Sequence, residues 1–263
     1  MLNGRKNIGK AILLMKISKH IYKDEAGTLL AFSVERGDVT DSPYSGFNCC
    51  GYTGDEEKHT DACRKALCKE LGISEDKFFT AVQTHSTNVA IAGKDDLNGV
   101  DGIVTTERNA LVGVFTADCV AMLFYDMKNK VAAAAHAGWK GTMNNIAGET
   151  IAKMLSQGAE LGNIHVIFGP SICQKCFEVG DEVVEQFADR GLPVDKVVVR
   201  NALTGKAHID LVESNIYWLD KAGVIPENIS KSGLCTKCEP ERFFSARTLG
   251  VRSGRVLTAI VML

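Results

Sequence analysis

Three residues whose side chains can bind zinc stand at the ends of apolar runs, namely His85, Cys119 and His136. Turn residues follow each of them, and loops at strand ends are where a rigid scaffold places chemistry. A neutral imidazole binds zinc at ~2.0–2.1 Å and a thiolate at ~2.3 Å. The alternative is two hydrogen-bonded structural histidines and an apolar buried thiol. Three protein ligands leave a fourth coordination position open, which is typical of a catalytic zinc site.

The segment after His136 could bind an anion. It reads AGWKGT and precedes a predicted helix. Glycines ahead of a helix allow backbone N–H groups to face a negative charge, which the helix dipole also favours. The spacing is not that of a P-loop, and a plain tight turn explains the glycines equally well.

Periodic apolar residues predict the elements that must position these side chains. We predict helices over residues 55–71, 144–157, 181–189 and 210–222. Asp55 is the expected N-cap of the first helix, and Asp210 with Glu213 has the spacing of a capping box. We predict strands over residues 29–36, 77–83, 89–92, 103–105, 111–116, 120–126, 131–136, 164–168 and 256–263. Runs this short and this close favour antiparallel pairing, so we expect a single mixed α/β (α+β) domain over 1–263.

The composition is that of a globular protein. The 263 residues are 45% apolar and 24% charged, which excludes a disordered or collagen-like chain. The formal net charge is −2, which gives no reason to expect a nucleic acid or membrane partner. The apolar run at residues 11–15 is too short for a membrane span or signal peptide, so we expect a cytoplasmic protein. Nine cysteines in a reducing compartment favour metal binding or catalysis over disulfides.

Two further cysteine pairs have the C-x-x-C spacing, Cys173 with Cys176 and Cys235 with Cys238. This spacing is typical of a structural zinc site or a redox pair. Neither pair sits in a thioredoxin-like pattern, and nothing in the sequence places the two pairs together. We expect the other thiols to be ordinary packing residues: Cys49, Cys50, Cys63 and Cys68.

Ten ordered segments together carry a resemblance to a known family. They are GFN at 46–48, QTH at 83–85, ADC at 117–119, HAGWKGT at 136–142, GPSI at 169–172, FEVG at 177–180, HIDL at 208–211, CT at 235–236, FFSAR at 243–247 and GR at 254–255. Over about residues 29–263 the chain resembles the YfiH/YlmD family, also called the polyphenol oxidase or laccase-domain family, which includes human FAMIN.

The resemblance implies a fold, a metal and an activity. The fold is one domain of mixed β-sheets flanked by helices, similar to the catalytic domain of cytotoxic necrotizing factor. The metal is zinc, held through a His, a Cys and a His that fall on His85, Cys119 and His136. The activity is that of a purine nucleoside phosphorylase acting on adenosine, inosine and methylthioadenosine, with deamination of adenosine as a side activity. The implied partners are a small nucleoside and phosphate.

The chain departs from the family pattern at several places. Ser86 replaces a glycine, Lys140 an arginine and Phe177 a tyrosine. Residues 33–38 match the corresponding family motif only in part. Lysine keeps the positive charge but lacks the bidentate fork of arginine. These departures concern substrate preference more than metal binding.

Phosphorolysis needs cations around the phosphate. The candidates are Arg36, Lys140 and Arg247, and Arg247 is favoured because it lies in a matched motif. Each of them could instead be an ordinary surface charge.

Deamination needs an activated water and a proton shuttle, and zinc lowers the pKa of bound water to about 7. Asp118 is the candidate shuttle, although it could instead hold a ligand histidine in place. Asn48, Gln83 and His208 could hydrogen-bond the sugar or the base, or else satisfy backbone groups in turns.

Other functions are compatible with the same residues. In a Cys–His hydrolase, such as an enzyme that edits peptidoglycan precursors, Cys119 would be the nucleophile. A copper-dependent polyphenol oxidase is disfavoured because the six histidines include no His-x-His pair. Copper remains an alternative metal, since it outcompetes zinc for such ligands. A non-enzymatic protein with structural zinc is the last alternative. The sequence does not predict the oligomeric state.

Overall fold

The computed structural model describes residues 19–24 and 28–263. The apolar run at 11–15, on which the expectation about export was based, lies outside them. The helices are α1 (Glu57–Leu71), α2 (Trp139–Met143), α3 (Ile146–Ser156), α4 (Asp181–Asp189), α5 (Val194–Val197), α6 (Leu211–Ala222) and α7 (Ala246–Leu249). None of the helices in the described residues is long and apolar enough to cross a membrane.

Fourteen strands form the sheets of the described residues. They are β1 (Lys19–Asp24), β2 (Leu29–Val34), β3 (Phe78–Thr80), β4 (Val89–Ile91), β5 (Gly102–Thr105), β6 (Leu111–Thr116), β7 (Val120–Asp126), β8 (Val131–Ala137), β9 (His165–Phe168), β10 (Glu178–Val179), β11 (Val198–Arg200), β12 (Ala207–Ile209), β13 (Ile229–Lys231) and β14 (Val256–Met262).

Two large sheets and one small sheet result. Their strand orders are β1-β2-β14-β6-β3, β13-β9-β7-β8-β5-β4 and β10-β12-β11. Antiparallel pairs predominate, as the short connections predict, and β7 pairs antiparallel with both β8 and β9. Parallel pairing joins β3 to β6, β4 to β5 and β13 to β9. The predicted mixed α/β class is confirmed.

Successive side chains of the central strands alternate between the two faces of each large sheet, and both faces are buried. On β7, Phe124 packs on one side in a cluster with Ile151 of α3. Its neighbour Leu123 packs on the other side with Val112 and Ile260 of the five-stranded sheet. Successive side chains of a strand point to opposite faces, so one apolar strand serves two cores.

Helices cover the outer faces of the two stacked sheets. Cys63 and Leu67 of α1 pack against Phe32 and Leu257 of the five-stranded sheet. The cluster on the far face of the six-stranded sheet includes residues of α3, α4 and α6. The order is therefore helix, sheet, sheet, helices, and the central strands end at common edges where turns can hold functional groups.

The predicted helices exist, but one predicted cap is wrong. The N-cap of α1 is Glu56, and its side chain makes no capping bond. The carboxylate of Asp55 instead accepts hydrogen bonds from Asn48 and His59. The predicted cap of α6 is confirmed, because Asp210 accepts the backbone N–H of Glu213 at 2.9 Å. Short elements such as α2 and β10 were not predicted, because a few residues show no periodicity.

Candidate metal centre

The structure brings together the three predicted metal ligands. His85 lies in the turn after β3, Cys119 immediately precedes β7, and His136 lies in β8. Their possible ligand atoms all lie within 4.8 Å of one another. The Cys119 Sγ is 3.9 Å from the Nε2 of His85. The pairing of β7 with β8 places Ala121 opposite His136, so the sheet register sets Cys119 beside that histidine.

Two residues of the site have left-handed backbone conformations. The φ angle is 61° at His85 and 92° at Asp118. Non-glycine residues rarely adopt such angles, which cost of the order of 1–3 kcal/mol and cluster at functional sites. These turns aim the imidazole of His85 and the thiol of Cys119 at a common point.

A buried carboxylate that the sequence did not single out fixes both histidines. Asp101 is fully buried, and one of its oxygens accepts from Nδ1 of His136 at 2.7 Å. The same carboxylate accepts the backbone N–H groups of His85 at 3.1 Å and Ser86 at 2.6 Å. Because Nδ1 of His136 is engaged, only its Nε2 can bind a metal, an arrangement typical of metal-ligating histidines. The only sequence signal was an aspartate next to a predicted strand.

The electrostatics of the site favour a thiolate at Cys119. Burial alone would raise the pKa of this thiol, but the charge and hydrogen bonds of His136 and His85 lower the pKa to about 6. Burial likewise opposes the charge on His136, yet Cys119 and Asp101 raise its pKa to about 9. The pKa of Asp101 falls to about 2, since its hydrogen bonds, first that from His136, outweigh its burial. A thiolate is the form of cysteine that binds metals.

A glycine leaves the space in which the ligands meet. A Cβ at Gly138 would lie 2.6 Å from the Cδ2 of His85 and 3.1 Å from the Sγ of Cys119. His136 is buried, Cys119 is partly exposed and His85 is exposed, so the cluster opens to solvent on the His85 side. Two nitrogens and one sulfur in an open cradle suit zinc with a free fourth position.

Asp118 does not contact either ligand histidine. Its carboxylate accepts the hydroxyl of Thr236 at 2.7 Å and the backbone N–H of Arg247 at 2.8 Å. The expectation that Asp118 holds a ligand histidine is therefore wrong, and Asp101 has that position. Asp118 instead joins the turn at Cys119 to two segments near the C-terminus.

Arg36 is occupied by contacts within the chain. Its side chain is buried, and its guanidinium donates to the carbonyl oxygens of Ser45 at 3.0 Å and Pro240 at 3.2 Å. It also lies over the ring of Phe244, 4.8 Å from the centroid. The guanidinium of Arg36 is therefore committed within the chain, and the expectation that it contacts phosphate is wrong.

Asn48 and Gln83 are also committed to the backbone. The side-chain oxygen of Asn48 accepts the N–H groups of Cys50 and Arg255, each at 3.1 Å. The amide of Gln83 pairs with both the N–H and the carbonyl of Phe115. The structure therefore supports the alternative prediction, that these two side chains satisfy backbone groups rather than bind the sugar or the base.

The remaining predicted side chains are accessible or incompletely bonded. Lys140 is exposed, with its Nζ 5.5 Å from the ring centroid of Trp139. Arg247 is exposed and donates to the backbone oxygen of Glu178 at 2.9 Å. The Nε2 of His208 is buried with no hydrogen-bond partner, 3.9 Å from a carboxylate oxygen of Glu178.

The sequence model of the multi-copper polyphenol oxidoreductase laccase family matches residues 29–263. The chain belongs to this family. It is 44% identical over 242 residues to adenosine deaminase RL5 of an unknown prokaryotic organism, covering 88% of this chain and 92% of that protein. It is 34% identical over 242 residues to a purine nucleoside phosphorylase of Bacteroides thetaiotaomicron, covering 88% of this chain and 90% of that protein.

Two solved structures share the fold of this chain. The YfiH protein of Bacillus licheniformis superposes with a TM-score of 0.87 at 27% identity, covering 95% of this chain and 98% of that one. YlmD of Geobacillus stearothermophilus superposes with a TM-score of 0.82 at 27% identity, covering 92% and 98%. The predicted resemblance to the YfiH/YlmD family is confirmed.

Proposed function

We propose that this member of the laccase family is a zinc-dependent purine nucleoside phosphorylase that also deaminates adenosine. The observation that carries the proposal is the convergence of His85, Cys119 and His136 in a cradle open on one side. Two relatives, named as a purine nucleoside phosphorylase and an adenosine deaminase, support the same activities. The proposed substrates are adenosine, inosine and methylthioadenosine, with phosphate as the second substrate of phosphorolysis.

The chain's own residues would prepare this site for a metal. Asp101 orients His136 through Nδ1 and holds the turn at His85 through its backbone. The low pKa of Cys119 makes its thiolate available at neutral pH. When bound, zinc supplies a Lewis acid that polarises an oxygen of the substrate or of water.

Lys140 and Arg247 are the proposed phosphate contacts. Both are exposed, and Lys140 follows Gly138, which adjoins His85 and Cys119, by two residues. The backbone of Arg247 is bonded to Asp118, the neighbour of Cys119. Since both oxygens of Asp118 hold other groups, we assign it to positioning Arg247 rather than to proton transfer. The buried Nε2 of His208 lacks a partner and is the proposed hydrogen-bonding group for the substrate.

Product analysis with adenosine tests the proposal. We expect the zinc-loaded protein to form adenine and ribose 1-phosphate only when phosphate is present, and inosine with or without it. Cys119→Ala should lose all products. The matched control is Cys68→Ala, which changes a buried thiol of α1 outside the site and should keep them. The absence of product from the zinc-loaded wild type, or unchanged products from Cys119→Ala, would refute the proposal.

A Cys–His hydrolase is the second candidate because the Cys119 Sγ lies 3.9 Å from the Nε2 of His85 and the thiol pKa is about 6. A nucleophilic thiolate paired with a histidine has such a pKa. A peptidoglycan precursor is the substrate class proposed for that enzyme. Activity in metal-free protein that alkylation abolishes would support the hydrolase, whereas loss of activity on metal removal alone supports the phosphorylase.

We do not propose laccase chemistry, despite the family's name. Only two histidines of the described residues join Cys119. His59 is bonded to Asp55, and His165 stacks on Tyr125. A blue-copper centre together with a trinuclear cluster needs more imidazoles than this site offers. The open side of the cradle also argues against a purely structural metal, whose coordination would be closed.

A further inference from the structure

We propose that Cys173, Cys176, Cys235 and Cys238 bind a second, structural zinc ion, separate from the ligands at His85, Cys119 and His136. The four sulfur atoms all lie within 4.8 Å of one another. The Sγ atoms of Cys176 and Cys238 are 3.5 Å apart. A tetrahedral zinc with four sulfurs at ~2.3 Å would hold the sulfurs roughly 3.8 Å from each other. The cluster therefore has nearly the dimensions of a tetrathiolate zinc site.

The backbone holds the two C-x-x-C turns side by side. Cys173 precedes a 3₁₀ turn, Gln174–Cys176, and Cys235 opens the second turn. An isolated parallel bridge joins Ser171 to Cys235. The backbone N–H of Cys173 donates across the gap to the Sγ of Cys235 at 3.3 Å. A donor aimed at sulfur favours a thiolate, which is the ligand form.

The charges around the cluster suit a closed zinc site. Four thiolates with one Zn²⁺ carry a net charge of −2. Each turn contains one exposed lysine between its cysteines, Lys175 in the first and Lys237 in the second. These cations partly offset the negative charge. Four protein ligands leave no open position, so the ion would be structural rather than catalytic.

A redox role does not explain why both pairs converge. A disulfide joins two sulfurs at ~2.05 Å and needs only one pair. Here all four cysteines are free, and the thiols of Cys176 and Cys238 meet across 62 residues of sequence. A four-coordinate ion accounts for the meeting of all four sulfurs at one point.

The second zinc would support the turn that carries Cys119. The backbone N–H of Ile172, next to Cys173, donates to the backbone oxygen of Asp118 at 2.8 Å. The hydroxyl of Thr236, next to Cys235, donates to the carboxylate of Asp118 at 2.7 Å. Both cysteine turns thus contact the residue before Cys119, so a metal that joins the turns also braces the first site.

Metal analysis of the full chain, purified in a reducing buffer with both zinc and iron present during growth, tests the proposal. We expect two zinc ions per wild-type chain and one each in Cys238→Ser and Cys119→Ala. Cys238 is exposed, so its replacement leaves the core intact. The matched control is Lys237→Ala, which alters the same turn without removing a ligand and should keep two ions.

Cobalt spectroscopy gives an independent readout. Cys119→Ala reconstituted with Co²⁺ should show the sulfur-to-metal charge-transfer bands and strong visible bands of a tetrathiolate site, and further replacement of Cys238 should abolish them. If Cys238→Ser fails to fold, this spectrum of Cys119→Ala decides the matter. A single zinc in the wild type that Cys119→Ala loses, an unchanged count in Cys238→Ser, iron instead of zinc, or no tetrathiolate spectrum would overturn the proposal. None of these readouts requires nucleoside activity.

Discussion

At the scale of single residues, Asp101 is the most informative position of the candidate metal centre. In Asp101→Asn, the amide N–H₂ must replace one of two accepting oxygens, so it faces either Nδ1 of His136 or the backbone N–H of Ser86, which donate to different oxygens. Loss of this orientation should weaken zinc binding about 10–100-fold. Chelator-competition titration would measure the change, with circular dichroism to check the fold. Asp126→Asn is the matched control, because that carboxylate is equally buried but bonds Asn129 instead. Equal zinc affinity in wild type and Asp101→Asn would contradict the role of Asp101.

The residue scale also shows what sequence patterns can and cannot specify. The three ligand types could be chosen because each ends an apolar run, and the structure brings them together. Asp101 could not be chosen, because its partners, Nδ1 of His136 and the backbone N–H groups of His85 and Ser86, are distant from it in the sequence. Arg36 carries a charge suited to phosphate, but its burial and its contacts with Ser45 and Pro240 depend on packing that the sequence does not show.

At the scale of elements, the start of α2 adjoins the metal centre. In Gly138→Ala, the new Cβ would lie 2.6 Å from the ring of His85. The ring of His85 must move, because it is exposed whereas the backbone of the β-sheet cannot shift. We expect zinc affinity to fall at least tenfold while the fold remains, as measured by chelator competition and thermal unfolding. In Gly141→Ala, within the same helix, the new Cβ would meet its nearest atom at 3.4 Å, an ordinary contact. That control should keep zinc affinity, since alanine also favours a helix. Equal losses in both variants would refute a local clash.

Elements were predictable in proportion to their length and periodicity. The helix predicted over residues 210–222 corresponds to α6, with its Asp210 cap in place. By contrast, α2 spans only Trp139–Met143, which is too few residues for an apolar pattern to show. The strand predicted over 256–263 exists as β14, but its position between β2 and β6 depends on pairing across most of the chain. Such long-range pairing is not encoded in any local window.

At the scale of the whole molecule, a charged pair ties the first helix to the last strand, and its effect on stability should depend on pH. The Asp55 carboxylate accepts from His59 of α1 at 2.8 Å and from Asn48 at 2.7 Å. Asn48 in turn accepts the backbone N–H of Arg255, which precedes β14. The hydrogen bond to Asp55 is the main reason that the pKa of His59 rises from 6.5 to about 10.

Replacing this histidine should therefore cost stability at low pH and little at high pH. A group whose pKa is raised on folding stabilises the folded state fully below its unfolded pKa of 6.5, and this contribution fades as the pH rises toward 10. We expect His59→Gln to lower the free energy of unfolding by roughly 1–3 kcal/mol at pH 6, with the difference from wild type shrinking through pH 8 and nearly vanishing above pH 10. Urea unfolding of both chains in a reducing buffer would measure this difference, in which the titration of groups that do not interact with His59 cancels. A difference that stays constant from pH 6 to pH 10 would show that the pair is not charged in the folded protein and that His59 contributes only through an uncharged contact.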